Sequence, residues 1–212
     1  MDDSRLIVTV MAVIAGSALT PLVTSLGLAQ LDHRDQISAR LWLISALVGG
    51  LAGAAAVGTA HRADIWELTP ALATWGFALV AAAACDAVTQ RIPTPLVRQA
   101  SAATLVLLSV GLAVHGDWAG LALSGVGSLA AGLTMLLCWR FAGAGFGDVR
   151  LAILGGLGLG HATHGGLLLG LAAFVVMTVA QAGTTLARGG TRETLIPYGP
   201  ALATGFLVAA AL

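Results

Sequence analysis

Two of the ten acidic residues in this 212-residue chain stand where an acid is least expected. Asp148 ends the run Gly143-Ala144-Gly145-Phe146-Gly147-Asp148, and Asp86 directly follows the apolar run Leu79-Val80-Ala81-Ala82-Ala83-Ala84-Cys85. A carboxylate at the edge of a lipid-facing segment is costly and is usually kept for function. Two carboxylates held close together cannot both ionise readily, so they share a proton. The ionised member can then activate a water while the protonated one polarises a carbonyl, which is aspartic hydrolytic chemistry. Gly143, Gly145 and Gly147 leave the backbone before Asp148 free to turn tightly and to approach another chain.

The elements that must position this pair are membrane helices. The chain is 58% hydrophobic and only 9% charged, against roughly 25% charged residues in a soluble domain. Its formal net charge is zero, so nothing argues for nucleic acid, and all ten basic residues are arginines. A spanning helix needs about 20 mostly apolar residues. Breaking the chain at charge clusters predicts spans near 6–28, 41–60, 70–85, 96–114, 118–140, 147–160, 165–187 and 198–212. The acidic start (Asp2, Asp3) and long first apolar run read as a retained helix rather than a cleaved signal. The expectation is therefore an all-α, polytopic helical bundle of about eight transmembrane segments, forming a single domain over residues 1–212.

The arginines orient it. With eight crossings, one side holds Arg34, Arg40, Arg91, Arg98, Arg140, Arg150, Arg188 and Arg192, and the other only Arg5 and Arg62. The positive-inside rule makes the first side cytoplasmic, with both termini outside. The short 147–160 segment is the weak point, because a helix of about 13 residues rises only about 20 Å. A re-entrant hairpin there would reduce the arginine split to six against four, so a full crossing is preferred, completed by the glycine stretch in a protein-lined cavity.

On this topology Asp86 and Asp148 emerge on the same side, two crossings apart. Asp86 is expected to end the third span, against the negative end of a helix dipole, whereas Asp148 opens a helix, where the positive end favours its ionised form. Asp148 is accordingly assigned as the base. The bland alternatives are a helix N-cap for Asp148 and an ion pair with Arg91 or Arg98 for Asp86. The remaining loop acids read as solvated charges, and Glu193 beside Arg192 as a loop ion pair. Cys85 and Cys138 form no CxxC and read as small buried hydrophobes. The five histidines are scattered, with His161 and His164 opposite the acids, and no ligand spacing appears. No metal and no cofactor is expected.

The residues taken together resemble the bacterial type IV prepilin peptidases, a family of GxGD aspartic membrane proteases, and among them a short, peptidase-only member. Gly145-Phe146-Gly147-Asp148 is a GxGD motif, continued by Val149-Arg150-Leu151. Asp86 with Arg91-Ile92-Pro93 resembles the family's first aspartate, and Ile196-Pro197-Tyr198-Gly199-Pro200 resembles the segment that opens its last helix. Ala15-Gly16-Ser17-Ala18-Leu19 is a degenerate likeness to its first helix. The resemblance implies an endopeptidase of the bacterial cytoplasmic membrane, multi-pass, with its catalytic loops facing the cytoplasm. It would remove the short basic leader of pilin-like precursors, whose apolar helix lies in the lipid.

The catalytic pair carries over to Asp86 and Asp148, with Gly145, Gly147, Arg150, Pro197, Tyr198, Gly199 and Pro200 shaping the site. The large zinc-binding cytoplasmic loop associated with N-methylation has no counterpart in Gln30-Leu31-Asp32-His33-Arg34-Asp35, so methyl transfer is not expected. Arg150 stands where the family usually has lysine, and a guanidinium is not equivalent to an ammonium. Two other readings stay open. One is a GxGD intramembrane protease of the signal-peptide-peptidase type, whose PAL motif Pro200-Ala201-Leu202 resembles. The other is a small proton-coupled transporter, which would favour inverted repeats and acids near mid-bilayer.

Overall fold

A computed structural model describes residues 3–189 and 196–212; Arg192 and Glu193, and with them the expected loop ion pair, lie outside the described residues. The described chain is all helical: α1 Asp3–Gln30, α2 Ala39–Arg62, α3 Leu68–Thr89, α4 Thr94–His115, α5 Trp118–Ala142, α6 Phe146–Leu157, α7 His164–Ala187 and α8 Gly199–Ala211, with one short 3₁₀ turn at Arg34–Gln36. Six of these, α1 to α5 and α7, are long and apolar enough to cross a membrane. The chain is an all-α, multi-pass membrane helical bundle.

The helix ends follow from local chemistry. Ser38, Asp117 and Thr163 cap α2, α5 and α7 by accepting the N–H of Leu41, Gly120 and Gly166, each satisfying a donor that the first turn leaves without a partner. Gly143 (φ +74°) ends α5 in the left-handed conformation, which only glycine adopts without cost.

The hub is α3. It is apolar all round, as a helix buried among others must be, and it packs against α1, α2, α4, α6 and α8. Leu68, Ala71, Leu79, Ala81 and Ala82 are wholly inaccessible. Trp75 donates its indole N–H to the Leu154 carbonyl (2.9 Å) and shares it with Gly155 (3.2 Å), fastening α3 to α6. In contrast, α7 rests on α8 and buries only Gly166 and Gly170.

The two short helices depart from the simple picture of eight full spans. With 12 and 13 residues, α6 and α8 rise about 18 and 20 Å, less than the ~30 Å hydrocarbon core. Both sit inside the bundle, α6 burying Leu151, Ala152, Leu154, Gly155 and Gly156. A short helix is stable there because its irregular ends meet protein rather than lipid. Gly156 makes this possible: a Cβ on it would collide with the Gly127 carbonyl and Ser128 on α5.

The path of α6 runs from one end of the bundle to the other. Asp148 lies at the end of the bundle that holds Asp86, whereas the turn leaving α6 brings His161 Nε2 to 2.9 Å from Asp117 Oδ2, in the α4–α5 turn. A re-entrant hairpin would have returned the chain to Asp148. The segment crosses the bundle, with extended backbone at Gly145 before α6 and a run of turns over residues 158–161 after it. The same far end gathers His115 on Glu67 (2.6 Å), Arg5 on His61 (2.9 Å) and Arg62 on the Ala210 carbonyl (2.7 Å).

At that end the Glu67 carboxyl is held below its ordinary range first by a backbone N–H of its own residue and then by His115. Asp117 is lowered first by the Gly120 N–H and then by His161. A lowered folded-state pKa contributes stability that is complete at neutral pH and lost as pH falls from about 4 through the lowered value. Asp117→Ala is expected to lower stability by ~1 kcal/mol at neutral pH, the usual worth of an N-cap, with the difference from wild type shrinking at about pH 3 in thermal unfolding. Gly156→Leu should be far more severe, removing the folded, monodisperse species on size-exclusion chromatography in detergent, because two helix backbones would have to separate.

Candidate functional site

Asp86 lies in the last turn of α3, which runs on to Thr89, one turn beyond the end expected at residue 85. Gln90 then adopts the left-handed conformation (φ 54°) and donates its N–H to the Asp86 carbonyl at 2.8 Å, closing the helix. The Asp86 carboxylate is 5% exposed. Its Oδ2 accepts the N–H of Gly199, the first residue of α8, at 2.7 Å. A Cβ on Gly199 would stand 2.8 Å from both Cβ and Oδ2 of Asp86, so glycine is what lets the two backbones meet here.

Asp148 is the third residue of α6 and is 6% exposed. Gly145, not Asp148, is the N-cap. The Asp148 Oδ2 reaches back to accept the Gly145 N–H at 3.0 Å, while the Asp148 N–H donates to the Gly145 carbonyl at 3.1 Å. This is the acidic half of a capping box. Each carboxylate is thus met by an N–H at the start of a helix, α8 for Asp86 and α6 for Asp148. The asymmetry expected from sequence holds for each acid's own helix, Asp86 in the last turn of α3 and Asp148 in the first of α6, but the incoming start of α8 offsets it by giving Asp86 a helix N-terminus as well.

Both side chains line one cavity of about 300 Å³ at the end of the bundle. Gly145, Gly147 and Arg150 contribute from the α6 side, and Gln90, Arg91, Ile92 and Thr94 from the α3–α4 connection, with Leu31 at the tip of α1. Gly147 admits Ile92, whose Cβ would lie 3.2 Å from a Cβ at that position. Arg150 donates to Thr94 Oγ1 at 2.6 Å and lies over the Phe146 ring at 4.8 Å, tying α6 to the start of α4. Among the described residues neither carboxylate is ion-paired with an arginine, so the pairing alternative for Asp86 with Arg91 or Arg98 has no support in the geometry.

Of the residues singled out in the sequence, Asp86, Asp148, Gly145, Gly147 and Arg150 converge on the cavity, and Gly199 joins through its hydrogen bond. Pro197, Tyr198 and Pro200 do not line it. They frame Gly199, with Tyr198 packed on the core and Pro200 inside the first turn of α8, where a missing N–H costs nothing. Sequence reasoning missed Leu31, Gln90 and Thr94. The only local signal was for Thr94, next to Ile92-Pro93; Leu31 and Gln90 enter through tertiary packing. Cys85, next to Asp86, points away and is 3.6 Å from the Thr24 carbonyl. Among the described residues no three His, Cys, Asp or Glu side chains converge as metal ligands would.

Each acid keeps its Oδ1 without a protein partner among the described residues, and both line the same cavity. No family profile, no curated protein and no solved structure matches the chain. In a variant with Cys85 and Cys138 replaced by serine, single cysteines at positions 86 and 148 are expected to react with a membrane-impermeant maleimide added from one side, and the same side for both. Protection of either from both sides would mean that the cavity is sealed from water.

Proposed function

We propose that this chain is a membrane-embedded aspartic endopeptidase that removes the short basic leader of pilin-like precursors, using Asp86, Asp148 and a water. The observation that carries this reading is the convergence of two buried carboxylates, 62 positions apart in the chain, on one cavity at one end of the bundle. Each spends one oxygen on a backbone N–H and leaves the other without a partner among the described residues. The ordered motifs of Asp86 with Ile92-Pro93, of the GxGD run and of Tyr198-Gly199-Pro200 point the same way. In this reading the pair shares one proton. The ionised member takes a proton from water as the water's oxygen attacks the scissile carbonyl, and the protonated member donates its hydrogen to the developing oxyanion. The tetrahedral intermediate then breaks its C–N bond, and the amine leaves with a proton returned from the pair. Water is consumed and no cofactor enters.

The membrane is the bacterial cytoplasmic one, with the cavity facing the cytoplasm, where eight of the ten arginines fall and where a basic leader waits. The transporter reading places its acids near mid-bilayer, whereas Asp86 lies in the last turn of α3 and Asp148 in the first of α6.

Expressed in membranes with a pilin-like precursor, the wild-type chain is expected to shorten it, as followed by gel shift. Asp86→Asn and Asp148→Asn should each reduce the rate by at least about a hundredfold at equal expression, as loss of a general acid or base does. Persistent cleavage in either variant removes that acid from the pair. Gly199→Ala, which drives a Cβ into Asp86, should slow cleavage while the bundle remains folded.

A further inference from the structure

The cavity shows where a peptide bond would be cut, and the lipid-facing surface carries two grooves through which the attached apolar helix could arrive. One, of about 230 Å³, lies between α5 and α7 over α6 and α8. Its lining runs from Ala152 and Leu202, each about a turn from a residue of the site, to Leu159, Leu167 and Ala209 at the far end, but it shares no chain segment that steps directly into the carboxylate cavity. The other, of about 370 Å³, lies between α1 and α4 with α3 as its floor.

We propose that the α1–α4 groove is the seat of the substrate's single apolar helix; this rests on the endopeptidase reading and adds the route by which that substrate reaches the acids. Three observations carry it. First, the groove is continuous with the site along two strands of chain: Gln30 lines the groove and Leu31, the next residue, lines the carboxylate cavity, while Leu96 lines the groove and Thr94 the cavity. A peptide leaving the groove over Gln30 reaches the acids within a few extended residues, at about 3.3 Å each.

Second, the groove suits a helix. Ala78, Ala100 and Ala103 make a shallow, small-residue surface of the kind on which helices pack in lipid. Leu19 and Leu26 stand up from α1 as an apolar wall, 47% and 62% exposed.

Third, its mouth is polar. Gln30 and Gln99 place two exposed amides toward the end nearer the acids, on a surface whose one other polar side chain is Thr74. A substrate helix must unwind before its peptide bond can be cut, and its freed N–H and C=O groups then need partners at the membrane edge. Two amides, each both donor and acceptor, meet that need. A lipid acyl chain has no such groups. Beside the groove α1 meets the start of α4 at Gly27, where an added Cβ would stand 3.0 Å from Leu96 Cδ1 and 3.2 Å from Pro93 Cγ. The helix therefore lies across the outside of this neck, and only its extended end passes over.

The test uses the full chain in membranes with a pilin-like precursor. A photo-crosslinking residue placed at Ala103 in the Asp86→Asn background is expected to capture the precursor's apolar helix. The same residue at Leu171, in the α5–α7 groove, is expected to capture lipid alone. Crosslinks to the precursor from Leu171 and none from Ala103, or lipid as the sole adduct at Ala103, overturn the proposal. In parallel, Ala103→Trp should raise KM for the membrane-inserted precursor about tenfold with kcat retained, the signature of lost substrate binding. Val126→Trp, on an exposed face of α5, should change neither. Cleavage by the unmodified chain without capture at Ala103 overturns the groove and leaves the endopeptidase standing, whereas absence of cleavage by the unmodified chain removes both.

Discussion

A carboxylate taken out of water must be given donors or it will not stay charged, and this requirement fixes how the end of the bundle is built. Asp86 is almost wholly covered, and its donor is the N–H of Gly199, 113 residues later. To deliver that one group, the start of α8 has to lie against the last turn of α3, and the residue that carries it can have no side chain. Proline at position 200 follows from the same geometry, since the helix begins there and needs no further donor. Asp148 solves the equivalent problem locally, by reaching back to its own N-cap at Gly145. One acid is held by tertiary structure and the other by secondary structure.

The rest of the fold serves this meeting of helix ends. Because α3 is apolar on every face, it can be surrounded, and being surrounded it becomes the fixed post against which α6 and α8 are placed. The two short helices are accommodated because glycines remove the side chains that would have kept them away. Gly156 against the α5 backbone and Gly199 against Asp86 are separate contacts, but they do the same thing: each lets backbone approach something that a Cβ would block. Trp75 adds a directional tie, its single N–H lying between two carbonyls of α6. Packing and hydrogen bonding thus act along the same line, from the middle of α3 outward to the acids.

The two ends of the bundle divide their work. At the far end the polar contacts are pairs between turns, an exposed one of Glu67 with His115 and a half-buried one of Asp117 with His161. Exposed pairs of this kind contribute little individually. They hold the turns in register without drawing charge into the membrane. At the near end the acids are left without arginine partners among the described residues, although Arg91 and Arg150 line the same cavity. Arg150 spends its guanidinium on Thr94 and the Phe146 ring instead. That leaves both carboxylates lining the cavity with no arginine ion pair among the described residues, a condition the proposed chemistry requires.

The sequence by itself determined the helical class, the position of nearly every helix and the identity of both acids. Apolar runs broken by charge are a direct readout of how much lipid each segment can tolerate, and an acid next to such a run is conspicuous without any structure. It also determined that Asp86 and Asp148 share an end, because that depends only on counting crossings. Tertiary structure alone decided the surroundings of those acids. That α3 runs a turn past Asp86 depends on Gln90 taking a left-handed conformation, which an ordinary glutamine does not advertise. That Asp86 sits at a helix N-terminus depends on α8, whose approach has no local signal on α3. Arginine placement favoured a full crossing of the 147–160 segment; the tertiary structure showed that α6 runs from the acid end of the bundle to the end where His161 meets Asp117. Local propensity and hydropathy are short-range properties of the chain, whereas the donor to a buried carboxylate and the wall of a cavity come from whichever distant segment packs there.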